Sequence, residues 1–214
     1  MAAQHHTPLR FFLAAALFSL SLPSSASADD PTTFGLRVFV ASADGEPVVD
    51  QDWVDERIRW ANQIFEPAAV AFAQQAREGL AEAHTDLVSR ADRHALGPLI
   101  EGQRIHVFVV RSLADVDIEG EFIRGVHWRS RRGGPGPGGN RRHFVILSSI
   151  AGPTVLAHEL GHFFGNPHSP TPGNIMSYSR GSGPPFFDAG QLRRIGRHEE
   201  RFLRSEELVA IEPR

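Results

Sequence analysis

Residues Ala157 to His168 read AHELGHFFGNPH, and no other stretch limits so narrowly what the chain can become. In a helix, side chains four positions apart share a face, so His158 and His162 present two imidazoles to one point. Glu159 stands one position beyond the first of them. Its carboxylate can lie beside that point without filling a coordination site, where a base for a metal-activated water is needed. Gly165 follows one turn after His162. Glycine accepts the left-handed conformation that ends a helix and turns the chain sharply, and such a turn swings His168 back as a third ligand. Three neutral imidazoles suit Zn²⁺ and leave a fourth position open for water. HExxH alone also fits an ordinary amphipathic helix with two incidental histidines, whereas the extended HExxHxxGxxH is much more demanding.

Eight residues after His168 comes Met176, in Asn174-Ile175-Met176-Ser177-Tyr178. With this methionine the stretch resembles the metzincin clan of zinc endopeptidases, in which HExxHxxGxxH is followed by a Met-turn. The resemblance implies that His158, His162 and His168 bind catalytic zinc, that Glu159 is the general base, and that Met176 forms the apolar floor beneath the metal. Ser169 and the short gap to Met176 are similar to matrixins. Tyr178, two after the methionine, is similar to astacins and serralysins, where that tyrosine approaches the zinc and can stabilise the oxyanion. A packing role for Tyr178 at the turn stays open. The chain mixes features of two families and is assigned to neither. The motif resemblance covers residues 158–178. It implies an α/β fold: a metzincin-like zincin catalytic domain, with a mixed twisted sheet, two long helices and a small C-terminal part ending in a helix.

The remaining sequence is compatible with that layout. Leu36 to Ala41 is a β-branched, apolar run that predicts a buried first strand. Asp50 to Phe65 has helical spacing, with Asp50 or Asp52 as its cap and Pro67 as its stop. Val70 to Gln75 reads as a second strand, with a continued helix as the alternative. Ser89 to Leu96 reads as a short helix stopped by Gly97-Pro98. Ile105 to Val110 predicts a central strand in which His106 is a hydrogen-bonded structural residue. Gly125 to Arg129 and His143 to Ser148 are further strands. Between them a Gly/Pro-rich tip is flanked by Arg129, Arg131, Arg132, Arg141 and Arg142. It lacks the lysine and following helix of a phosphate loop. Its arginines read as solvated hairpin charges, or as a basic rim that attracts acidic substrates or an anionic envelope. Asp188 caps a last helix, Ala189 to Leu203, with Leu192, Ile195 and Phe202 inward.

A chain of 214 residues suffices for one domain with a real core. A formal charge of −3 gives no case for nucleic acid as a partner, and the absence of cysteine excludes disulfides and a thiol latch on the metal. Arg10, the apolar run Phe11 to Leu22 and the small residues Ala26-Ser27-Ala28 predict a signal peptide over residues 1–28. The run is short for a membrane span, so no stable membrane anchor is expected, and the domain over residues 29–214 is expected to be secreted or periplasmic. A monomer is the expected state.

The expected function is that of a secreted zinc endopeptidase acting on a protein or peptide substrate. An extended peptide would pair with an edge strand near Ile123 to Arg129, and Tyr178 to Phe187 would wall the pocket on the primed side, with Pro184, Pro185, Phe186 and Phe187 making it apolar. Asp115, Asp117, Glu119 and Glu121 alternate as if on two strands and, with His127 and His143, allow a second structural ion. The run lacks the acidic twelfth position of a calcium loop, which leaves a solvated acidic loop as the default. Two other functions stay in view: a non-catalytic zinc-stabilised binding module, against which Glu159 counts, and a zinc amidase acting on a cell-wall peptide.

Overall fold

The computed structural model describes residues 30–130 and 143–212. The expected signal peptide and the Gly/Pro-rich tip lie outside the described residues. The strands are β1 (Thr32–Ala43), β2 (Glu46–Pro47), β3 (Val70–Leu80), β4 (Asp86–Leu87), β5 (Ile105–Val110), β6 (Ser112–Leu113), β7 (Gly125–Arg129) and β8 (His143–Ser148). The helices are α1 (Gln51–Phe65), α2 (Arg90–Ala95), α3 (Val155–Phe163) and α4 (Ala189–Arg204).

In the main sheet β1 lies between β3 and β5, parallel to both. β8 follows β5 in parallel, and β7 closes the row antiparallel to β8. That order makes β7 an edge strand. β2 folds back on the end of β1, and β4 pairs with β6 in a small separate sheet.

Alternation along the strands explains the two-sided core. Leu36, Val38, Val107, Val109, Val145 and Leu147 face α1 and α3, where they meet Ile58, Phe65, Leu156 and Leu160. Their neighbours Phe39, Phe108, Val110, Phe144 and Ile146 face Leu87, Leu96 and Leu113. A strand covered on both faces has no polar side, which is why β5 reads as an unbroken apolar run. His106 is the exception, and it is satisfied locally: Nε2 accepts the Glu101 N–H at 3.1 Å and Nδ1 donates to the Arg104 carbonyl at 3.0 Å.

Boundaries follow local chemistry. Asp50 accepts the Trp53 N–H at 2.8 Å and so caps α1. The chain leaves α1 through a short 3₁₀ turn containing Pro67, and Ala69 takes φ +53° before β3 begins. β3 outlasts the apolar run that predicts it. Its polar half, Gln74 to Glu78, is held by pairing with β1 and by an ion pair of Glu78 with Arg37 at 2.6 Å. Asp188 and Gln191 form a reciprocal capping box at the start of α4. From α4, Phe202 packs on Phe163 and Phe164, and Phe164 in turn meets Phe34, Phe65 and Phe72. This aromatic cluster fixes α3 from below. Among the described residues no helix is long and apolar enough to cross a membrane.

Candidate metal centre

α3 carries His158, Glu159 and His162 and ends where the motif predicts. Gly165 has φ +82°, and a Cβ there would also collide with the His198 ring, so glycine is required on both counts. The N–H groups of Gly165 and Asn166 close the helix end on the carbonyls of His162 and Gly161, each at 2.9 Å. The turn returns the chain so that His168 meets the other two imidazoles. Their ligand nitrogens all lie within 4.8 Å of one another, and Nε2 of His162 is 3.0 Å from Nε2 of His168.

Backbone carbonyls orient two of the rings. Nδ1 of His158 donates to Ile175 O at 2.7 Å, and Nδ1 of His162 donates to Asn166 O at 2.8 Å. With its proton committed on Nδ1, each neutral ring has its lone pair on Nε2. Burial lowers the basicity of His158 and holds His162 down to about 4, which keeps both rings neutral. The lone pairs of His158 and His162 are thus free to face one point, which a ring nitrogen of His168 also reaches. The donor set therefore fits a divalent metal of zinc type, three nitrogens with a position to spare.

The floor is Met176, fully buried, whose sulfur approaches α3 so closely that a Cβ on Gly161 would collide with it. Asn174 holds the turn: its Oδ1 accepts the Met176 N–H at 2.9 Å, and its amide is bonded to Gln191 of α4 at 2.7 Å. The same turn supplies the Ile175 carbonyl that orients His158.

Glu159 is 5% exposed and is wedged against the edge strand. A Cβ on Gly125 would come within 3.0 Å of its Oε1, so Gly125 makes room for it. Burial raises the Glu159 carboxyl to about 8, against the opposing pull of the His127 backbone N–H. A cation at the imidazoles acts in the same direction as that N–H, toward the charged form. Tyr178 is 82% exposed, and its hydroxyl lies at hydrogen-bond distance, 3.0 Å, from His168 Nε2. Little of it is packed.

Behind α3 runs a connection that the motif does not suggest. His127 Nε2 lies 2.8 Å from His143 Nδ1, and His143 Nε2 lies 2.9 Å from Glu207 Oε1. Phe163 stacks on His143 with ring centroids 3.8 Å apart. Burial, reinforced by His143, pushes His127 down to about 2. Its folded value lies below its unfolded one, so its contribution to stability is complete above about pH 6.5 and is lost as the pH falls. The urea midpoint is therefore expected to decline steadily from pH 7 to pH 5. His127 alone contributes a slope approaching ~1.4 kcal/mol per pH unit. A flat midpoint over that range would show that the ring is not held neutral.

Other expectations are corrected. Asp115 to Glu121 do not alternate on strands. They form a loop closed by one bridge, Ala114 to Phe122, in which Asp115 Oδ1 accepts the Asp117 N–H at 2.8 Å and Asp117 pairs with Arg90. Among the described residues, the three-histidine cluster is the one group of three or more such ligands this close together. Phe187 does not wall a pocket: it is buried, edge-on to Phe65 at 4.9 Å.

The histidines and Glu159 lie in a cleft of about 1620 Å³ between β7 and the segment from Gly173 to Pro185. No protein-family model matches this sequence, and no curated protein matches it. Solved structures do match. Metalloproteinase-II from Bacteroides fragilis aligns with 82% of this chain at 14% identity and a TM-score of 0.55. The alignment covers 55% of that protein, so this chain spans about half its length. Mature mirolysin from Tannerella forsythia, solved in complex with a cleaved peptide, aligns with 88% of this chain and 100% of its own at 12% identity and a TM-score of 0.58. At such identities the likeness shows the fold: a mixed α/β fold shared with a metalloproteinase.

Proposed function

We propose that the protein is an exported zinc-dependent endopeptidase of metzincin type. The observation that carries this reading is the convergence of His158, His162 and His168 beside Glu159 in a cleft bordered by the edge strand of the described sheet. These residues fit zinc, which when bound supplies a Lewis acid that polarises a carbonyl and acidifies water.

The chain's own groups do the rest. Glu159 takes a proton from the attacking water and returns it to the leaving amine. Its burial favours the protonated form, so it is poised to hold that proton. Tyr178, largely exposed, turns at little cost to donate its O–H to the oxyanion that develops on the carbonyl. Tyr178→Phe is expected to lower kcat about tenfold or more with zinc content unchanged, as for loss of one oxyanion donor. An unaltered kcat would leave the tyrosine no part in the chemistry. The edge strand β7 accepts an extended peptide as an added strand. A peptide lying along an edge continues past both ends of it, so the bond cut is internal. The peptide held by mirolysin supports a peptide as substrate here.

Metal removal tests the proposal. Phenanthroline is expected to abolish cleavage of a quenched peptide library, and stoichiometric Zn²⁺ to restore it. A protein that binds zinc and cuts no peptide would instead be the binding module or the cell-wall amidase. Export belongs to the same proposal, and an N-terminus at Asp29 on the protein recovered outside the cytoplasm is the expected result.

A further inference from the structure

Arg93, on α2, is a buried cation without a counter-ion. It is 2% exposed. One terminal nitrogen donates to Ala114 O at 2.6 Å, Nε has no partner, and the guanidinium lies 4.8 Å from the Trp128 ring centre. Among the described residues no carboxylate lies within ion-pair distance of it. Asp115 and Asp117 act on it from farther off, and both are engaged elsewhere, Asp115 on the backbone of its own loop and Asp117 with Arg90. Taking a guanidinium out of water is unfavourable unless an anion replaces the water.

The position of this charge suggests which anion. Arg93 lines the same cleft as Glu159, together with Arg90, Trp128 and Arg129. Arg129 is exposed and also pairs with no carboxylate among the described residues. Gly125 faces Glu159, and Trp128 comes three residues later on the same edge strand. Side chains alternate along β7, so Trp128 and Arg93 lie on the face of that strand away from Glu159, whose carboxylate meets the His127 N–H one residue before. Trp128 is itself fixed, its indole N–H donating to His94 Nδ1 at 3.2 Å, so the wall of this corner is preformed.

We propose that Arg93, with Arg90 and Arg129 at the rim, forms a subsite for an acidic side chain of the peptide substrate, within a few residues of the bond that is cut and on the face of β7 away from Glu159. The proposal rests on the endopeptidase reading and narrows it to a substrate class. An incoming carboxylate supplies the counter-ion that Arg93 lacks and meets Arg129 at the entrance, beside Arg90 in its pair with Asp117.

The test is cleavage of a mixed peptide library by the full exported protein, with sites mapped by mass spectrometry, followed by matched peptides carrying Glu or Gln at the enriched position. Asp or Glu is expected to be enriched two to four residues from the cut, always on the same side. Exchange of Glu for Gln is expected to lower kcat/KM about tenfold or more, mainly through KM, as for loss of a charge-assisted hydrogen bond. Arg93→Met keeps the side-chain stem and is expected to abolish the distinction between the two peptides. Arg93→Lys, which keeps the charge, is expected to retain part of it. Vigorous cleavage without acidic enrichment at any position would overturn the subsite and leave the endopeptidase standing. That comparison needs only the wild-type protein, so a variant that fails to fold does not block it. An acidic preference that survives in a folded Arg93→Met protein would overturn the assignment to Arg93. No cleavage of any peptide would overturn both readings together.

Discussion

His162→Ala is expected to lose zinc and peptide cleavage together. His162 is the middle ligand of the set in space: its Nε2 is 3.0 Å from that of His168, and its ring is 4.8 Å from that of His158. Its orientation is built in by the hydrogen bond to Asn166 O, so the site does not have to order it on binding. Removing an outer partner of a metal-bound histidine costs ~10–100-fold in affinity, and removing the ligand itself costs more. Alanine is a good helix former, and His162 is only partly buried, so the fold is expected to persist. Zinc per protein after dialysis, measured beside a thermal melt, checks both parts. Full zinc in a folded His162→Ala protein would remove this histidine from the metal site.

Glu159→Ala separates chemistry from metal binding. The side chain lies against Gly125 and the edge strand, beside the imidazoles and outside the ligand set. Zinc content is therefore expected to match the wild type. Turnover is expected to fall by ~10²–10⁴-fold, the usual contribution of a positioned proton-transfer group. Stability is expected to hold or rise slightly, because burial disfavours the charged form of this carboxyl and alanine removes it. Initial rates on one quenched peptide, with zinc measured on the same samples, give the answer. Wild-type rates in the variant would mean that another group moves the proton.

What was legible in the sequence was what depends on short separations. His158 and His162 are one helical turn apart, Gly165 ends that helix, and Asp50 and Asp188 cap α1 and α4 through bonds to residues three positions on. The apolar run of β5 likewise predicts a central strand and that of β8 a further strand, but not that the two pair in parallel. What was hidden depends on partners far away in the chain. The carbonyls of Ile175 and Asn166 orient two ligands, but every residue has a carbonyl, so no side chain marks those positions. The chain from His127 through His143 to Glu207 exists only once β7 and β8 take their register and the segment after α4 returns beneath them. Gly125 carries no motif, yet its missing side chain is what lets Glu159 lie against the edge strand. Phe187 read as surface because it follows Pro184-Pro185-Phe186, and only the Phe65 ring across the fold accounts for its burial. Nothing near Arg93 in the sequence marks it, and only the packing of α2 against Trp128 accounts for its burial.

The most direct test of the account is peptide cleavage by the zinc-loaded protein in H₂¹⁸O, with products identified by mass spectrometry. The account predicts cuts at internal peptide bonds, each leaving one ¹⁸O in the new C-terminal carboxylate, and none in the Glu159→Ala protein under the same conditions. A zinc-loaded wild type that leaves every peptide intact, or that removes only terminal residues, would contradict it.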